Sequence, residues 1–255
     1  MSARLVCAVI AAAGRGSRLG MNVPKLLLPL GGDRTVWDIL YGTLAPQVQH
    51  LQVILHPSMV APFEAHLSNH PPRQATVSYA LQENPRGMGD AVFCGRAMWE
   101  QFANILVVWG DQVSVSAATI GRTLSLQHSA PFPAISLPLC RQPVPYVDYI
   151  FNDDQRIVRV LQSREGDACR PNGLSDVGVF ALSTGGLTAA WEGFLTRSDC
   201  GKHTGEVNFL PFLPYLSSVC GWYTQSFEVD DIHESRGINT PEDLAFFKQR
   251  IAVQR

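Results

Sequence analysis

The stretch "LVCAVIAAAGRGSRLGMNVPKLLLPLGG", residues 5–32, carries the decision about the fold. An apolar run shrinks to Ala11, Ala12 and Ala13, then opens into Gly14, Arg15, Gly16, Ser17 and Arg18, and reaches Lys25 directly after Pro24. A glycine-rich turn leaving a strand reaches φ > 0 without penalty, so successive backbone N–H groups converge on an anion. Phosphate is the commonest such anion. Arg15 and Arg18 add guanidinium forks suited to phosphate oxygens, and Lys25 adds a compact charge held by Pro24. Glycines alone would suit an ordinary loop; strand, GxGxR and PK together read as a phosphate site at the end of a first strand.

The kind of phosphate site is narrowed by what is missing. No GxxxxGK[ST] string is present. Gly14, Gly16 and Gly20 form GxGxxxG, which resembles a dinucleotide fingerprint. The next strand pattern, "LQVILHPS", ends in His56 and Pro57, where a ribose-binding acid is expected. A nicotinamide-dependent oxidoreductase stays only as a minor alternative, and a catalytically silent nucleotide-binding regulator as another.

The chain has 255 residues, 46% of them hydrophobic, enough for a sizeable core. A net charge of −2 with no polybasic run argues against a nucleic-acid polymer as partner. The apolar stretch "LVCAVIAAA" is too short to span a bilayer and lacks the flanks of a signal peptide, so no membrane association and a cytoplasmic location are expected. Cys7, Cys94, Cys140, Cys169, Cys200 and Cys220 form no CxxC pair and read as reduced thiols. His203 and His233 read as loop histidines facing solvent.

Short β-branched runs near 4–11, 51–56, 75–82, 104–110 and 133–140 alternate with helical patterns at 35–45, 58–69, 89–102 and 116–128. That rhythm predicts an α/β fold with a doubly wound, mainly parallel sheet. After residue 140 it changes: "YVDYIFNDDQRIVRVLQ" reads as a β-hairpin about Asn152, Asp153 and Asp154. An apolar run "DVGVFALS", a helix near 186–196, a proline-broken segment "EVNFLPFLPYL" and a strand near 222–229 follow. In "NTPEDLAFFKQRIA", Thr240 reads as the N-cap of a closing helix, with Asp243 completing a weak capping pattern. One domain over 1–255 is expected, with a nucleotide-binding half to about 140, a β-hairpin-rich acceptor-binding insertion over about 141–235, and a closing helix over 236–255.

Four ordered segments resemble those of the sugar-nucleotide pyrophosphorylases, the sugar-1-phosphate nucleotidyltransferases, and within them the uridylyltransferase domain acting on N-acetylglucosamine 1-phosphate. The glycine-rich stretch is similar to the family signature. "LQENPRGMGDAV" resembles its base-reading segment, "ILVVWGDQV" its strand ending in a metal-binding aspartate, and "SRGINTPEDLAFF" its late asparagine segment. The resemblance implies a GT-A-like nucleotidyltransferase fold and Mg2+ held by Asp111 and Asn239. It implies an NTP, UTP favoured, bound by Ala12, Ala13, Gly14, Arg15, Gly16, Ser17, Gln82, Gly87, Met88 and Gly110. Arg18 would hold the leaving pyrophosphate, and Lys25 would neutralise charge between the α-phosphate and the incoming phosphate. On its own chemistry, Asp111 ends a central strand where open α/β sheets bind ligands, and magnesium takes oxygen donors. Asn239, without the resemblance, reads as the residue before the helix cap.

The acceptor side departs from the resemblance. Gln162 stands where the relatives have a glutamate that binds sugar hydroxyls, Asp176 where they have an asparagine, and Val147 near an expected glycine. Glu206 is retained, although the segment around it differs, and Met88 replaces a usual threonine. Gln162 can donate as well as accept, whereas Asp176 cannot donate and adds a charge that suits an amine or a hydroxyl-rich group. The expectation is a phosphorylated small-molecule acceptor other than N-acetylglucosamine 1-phosphate. CTP or GTP with a cyclitol phosphate or phosphonate is the alternative. No acetyltransferase half, as found in the bifunctional relatives, is expected with this chain.

Overall fold

The computed structural model describes residues 5–14 and 24–253. In chain order the elements are β1 (Val6–Ala11), β2 (Pro29–Gly31), β3 (Arg34–Thr35), α1 (Val36–Leu44), β4 (His50–Leu55), α2 (Val60–Asn69), β5 (Thr76–Leu81), α3 (Met88–Cys94), α4 (Arg96–Trp99), β6 (Asn104–Trp109) and α5 (Ala117–Ser129). There follow β7 (Ala134–Gln142), β8 (Val147–Phe151), β9 (Ile157–Gln162), β10 (Gly173–Asp176), β11 (Val179–Ser183), α6 (Leu187–Leu195), a single turn α7 (Phe212–Pro214), β12 (Tyr223–Glu228) and α8 (Pro241–Val253).

The main sheet runs β10-β7-β11-β6-β1-β4-β5, with β12 also on β7. Strands β5, β4, β1 and β6 are mutually parallel, while β11 lies antiparallel between β6 and β7. Period-two alternation explains why helices cover both faces. Val6, Ala8, Ile10, Leu106 and Val108 join a core with Leu40, Phe63 and Ile120. Cys7, Val9, Ile105 and Val107 join a second core with Trp99, Leu187 and Phe212. Because β1 sits between β4 and β6, the chain reverses its winding there, and a crevice opens beyond the carboxyl ends of β1 and β6.

The doubly wound expectation is met, with three local differences. The helix expected over 89–102 is two pieces, separated at Gly95, where a Cβ would come within 2.6 Å of Gln52 Oε1. The small ladder β2–β3 and strand β10 carry too few apolar residues to announce themselves. The predicted hairpin is present as β8–β9, a two-stranded sheet apart from the main one. At α8 the capping pattern is complete: Asp243 N donates to Thr240 Oγ1 at 3.2 Å and Thr240 N to Asp243 Oδ2 at 2.9 Å. The described cysteines are all free thiols, and burial pushes Cys7 up to about 12. Among the described residues no helix is long and apolar enough to cross a membrane.

Candidate active site

Three residues far apart in the chain meet beyond the β1–β6 crevice. Lys25 begins a short 3-10 turn after Pro24, Asp111 follows Gly110 just past β6, and Asn239 precedes the cap of α8. Lys25 Nζ donates to Asp111 Oδ2 at 2.6 Å and to Asn239 Oδ1 at 3.0 Å. The Lys25 and Asp111 side chains are 19% and 17% exposed, so the pair is reachable from solvent yet partly shielded. Glycines on both sides allow this closeness. A Cβ at Gly110 would lie 2.8 Å from Ala11 O, and one at Gly237 would lie 2.9 Å from Asp111 Cγ. Asn239 N and Thr240 N both donate to Asp243 Oδ2, so the cap that starts α8 also holds Asn239.

The other nucleotide-side candidates surround this point unevenly. Ala12 and Ala13 leave β1 beside β4, with Ala12 N donating to Ile54 O at 3.0 Å, and Gly14 is exposed at the rim. Arg15, Gly16, Ser17 and Arg18 lie outside the described residues. Gln82 is buried, and its amide nitrogen donates to Gly87 O at 3.0 Å and Asp90 Oδ2 at 2.8 Å. Its amide protons are therefore spent on shaping the turn, which leaves its oxygen as the polar atom for a ligand. Gly87 sits at φ +118° with Val207 backbone 2.7 Å from where a Cβ would be. Val207 N donates to Arg86 O at 2.6 Å and Gly89 N to Val207 O at 2.9 Å, so this turn is clasped to the acceptor-side loop.

A cavity of about 600 Å³ extends from Asp111 and Asn239 to the acceptor candidates. Val147 and Gln162 are directly paired across β8–β9, which turns both to one face, and both line it with Met88 and Asp176. Asp176 Oδ1 accepts from Gly178 N at 2.8 Å and Oδ2 accepts from Tyr149 Oη at 3.2 Å. Burial pushes its carboxyl up to about 6. Glu206 stands behind the wall, its Oε2 accepting from Arg164 Nη2 at 2.7 Å.

Several lining residues escaped the sequence reading. Arg164 lines the cavity and also donates to Asn208. Glu165, behind it, accepts from His203 N at 2.9 Å and Thr204 Oγ1 at 2.6 Å; despite the cost of burial, these bonds hold its carboxyl down to about 2. Trp109, Gln112, Tyr146 and Arg236 complete much of the wall. Gln112 and Trp109 had a signal, one beside Asp111 and the other at the end of β6; the others come from loops and turns with no periodic cue. His233, read as facing solvent, is a correction: it lines the cavity and packs on Phe246 at 5.1 Å, because the 3-10 turn Ile232–Ser235 turns it inward.

Comparison with known proteins gives the family. The profile of the MobA-like NTP transferase domain matches residues 8–170. The chain is 31% identical to the bifunctional protein GlmU of Mycolicibacterium paratuberculosis (strain ATCC BAA-968 / K-10) over 244 residues, 93% of this chain and 48% of that protein. It is 30% identical to the bifunctional protein GlmU of Mycobacterium avium (strain 104) over 244 residues, again 93% of this chain and 48% of that protein. The chain thus spans about half the length of the curated relatives it matches. The mixed α/β architecture with its mostly parallel sheet is that of a GT-A-like nucleotidyltransferase fold. With the profile covering more than half of the chain, this protein belongs to the MobA-like NTP transferase family of nucleotidyltransferases.

Proposed function

We propose that this protein joins an NTP, UTP by preference, to a phosphorylated small-molecule acceptor and releases pyrophosphate in a magnesium-dependent reaction. The observation that carries the reading is the convergence of Lys25, Asp111 and Asn239 on one point. A carboxylate oxygen and an amide oxygen aimed at one cationic nitrogen mark a place built for positive charge. Both are hard oxygen donors, the set magnesium takes, and magnesium keeps several waters beside one or two protein ligands. Asp111 and Asn239 would hold the ion, which supplies charge neutralisation at the phosphate under attack.

The transfer forms a bond from an acceptor phosphate oxygen to the α-phosphorus. It breaks the bond from that phosphorus to the oxygen bridging to the β-phosphate, and the electron pair leaves with pyrophosphate. This chain's own residues position and neutralise, the main tasks in phosphoryl-type transfer. Lys25 balances the charge of two phosphate groups as they converge, and Gly110 lets the β6 end lie against β1 beneath them. Gly14 to Arg18 are assigned to the triphosphate, with Arg18 on the leaving group, and Gln82, Gly87 and Met88 to the base. The reaction is assigned to the cytoplasm, which supplies NTPs and keeps thiols reduced.

The test is pyrophosphate release over four NTPs, with and without magnesium, against phosphorylated sugars, cyclitols and phosphonates. Magnesium-dependent release, fastest with UTP and slow with N-acetylglucosamine 1-phosphate, is expected. A mismatched polar pocket rejects such a substrate by up to about 10⁴-fold. N-acetylglucosamine 1-phosphate as the best acceptor of the panel would contradict the acceptor assignment. Release independent of magnesium would contradict the metal assignment. Faster release with CTP or GTP would favour the alternative nucleotide.

A further inference from the structure

On the acceptor side of the cavity, the buried Oε1 of Gln112 and the half-buried carboxylate of Asp176, both hydrogen-bond acceptors, lie against one glycine. Gln112 is 7% exposed, and its Oε1 is buried with no hydrogen-bond partner among the described residues. Its side chain packs on Gly178, where a Cβ would meet Gln112 Cγ at 2.5 Å and Nε2 at 2.8 Å, and where φ is +73°. The same Gly178 donates its N–H to Asp176 Oδ1. Both Gln112 and Asp176 line the cavity.

The charges of the lining do not balance here. Asp111 is paired with Lys25, Arg164 with Glu206 and Arg236 with Asp243. Asp176 has no ion-pair partner among the described residues; its bonds come from a neutral phenol and a backbone amide. A buried acceptor with no partner among the described residues and a half-buried carboxylate with no ion pair are both costly, and both are relieved by a ligand that brings protons and positive charge. A hydroxyl brings one proton and no charge. An acetamido group brings one proton and a further acceptor oxygen, which would face the carboxylate. A protonated amine brings several donors and a charge, and Trp109 and Tyr146, aromatic residues of the kind that tolerate a cation, line the same wall.

We propose that Gln112 and Asp176 form a subsite for a protonated amine carried by the acceptor phosphate, with Gln112 a specificity-determining residue for the second substrate. The inference rests on the nucleotidyl-transfer reading above and deepens it. An amino sugar phosphate and an amino alcohol phosphate share this chemistry, and matched pairs separate them: glucosamine 1-phosphate against glucose 1-phosphate, and phosphoethanolamine against 2-hydroxyethyl phosphate.

Pyrophosphate release is measured for all four acceptors with magnesium and each NTP, in the full chain and in Gln112→Leu, Gln112→Glu and Asp176→Asn, each checked for a cooperative thermal transition. The amine of one pair is expected to exceed its hydroxyl partner in kcat/KM by roughly 10- to 100-fold, the range of one charge-assisted hydrogen bond. Gln112→Leu and Asp176→Asn should each shrink that ratio about tenfold, and Gln112→Glu should restore or enlarge it. Equal use of amine and hydroxyl partners, or a preference that survives both Gln112→Leu and Asp176→Asn, would overturn the subsite and leave nucleotidyl transfer standing. No release from any acceptor with any NTP would overturn the transfer reading itself, and the subsite with it.

Discussion

The two ends of the active cavity handle charge in opposite ways. At the nucleotide end Asp111 and Lys25 neutralise each other at 2.6 Å, and Asn239 closes the set. At the acceptor end Asp176 is half-buried, bonded to Tyr149 and Gly178, and Gln112 Oε1 has no partner among the described residues. On the proposed function, the first end is organised before substrate arrives and the second is completed by it. Preorganised charge serves a transition state, whereas an uncompensated site serves selection among substrates. Substitutions at the nucleotide end should therefore cut turnover of every acceptor alike, and those at the acceptor end should redistribute preference.

The largest expected effect is at Asp111. Replacing it with Asn keeps the shape and removes the charge, and should lower pyrophosphate release by about 10³-fold or more, several kcal/mol of transition-state stabilisation. Full activity of this variant at saturating magnesium would remove Asp111 from the mechanism. Lys25→Ala should lower kcat by about a hundredfold, roughly 3 kcal/mol, with little change in KM for the NTP. A raised KM at constant kcat would make Lys25 a ground-state anchor instead. Gly237→Ala pushes a methyl group against the Asp111 carboxylate and should cost about tenfold in kcat across all acceptors. A loss confined to one acceptor would mean that this wall belongs to the selective end.

The smallest effect is on stability, and it sharpens the contrast. Burial raises Asp176 from 3.8 to about 6, so the native state holds a proton there that the unfolded chain has released. Its contribution is fully present below about pH 4 and is lost as pH rises through about 6. Asp176→Asn should therefore raise Tm by a few degrees near pH 8, and by little near pH 4. Thermal melts at the two pH values check this, and an equal shift at both would show that the carboxylate carries no burial penalty.

The same contrast explains what could be read from the chain. Strands such as "LVCAVI" and "NILVVW" are apolar on both faces because helices cover both, so the doubly wound sheet was plain in their composition. Lys25, Asp111 and Asn239 stand in recognisable strings, and their meeting follows from strand ends and one helix cap. Arg164, Asn208 and Tyr146 come from loops and hairpin ends, where no period marks which side chain turns inward. Gln82 was legible as a residue of the base-reading turn, but only the fold reveals that its amide nitrogen is engaged by Gly87 and Asp90. The close packing of Gln112 on Gly178 is a long-range fact with no local signature.

The claim on which the rest depends is that Asp111 and Asn239, brought together only by the fold, act as one clamp. A double-mutant cycle in kcat for pyrophosphate release, with Asp111→Asn, Asn239→Ala and the combined variant, tests it most directly at saturating NTP and acceptor over a magnesium titration. Groups that act as a unit are strongly non-additive. The combined variant should be no more than about threefold slower than Asp111→Asn alone, with the same flattened magnesium dependence. Losses that multiply, with Asn239→Ala leaving the magnesium dependence of the intact protein unchanged, would contradict it.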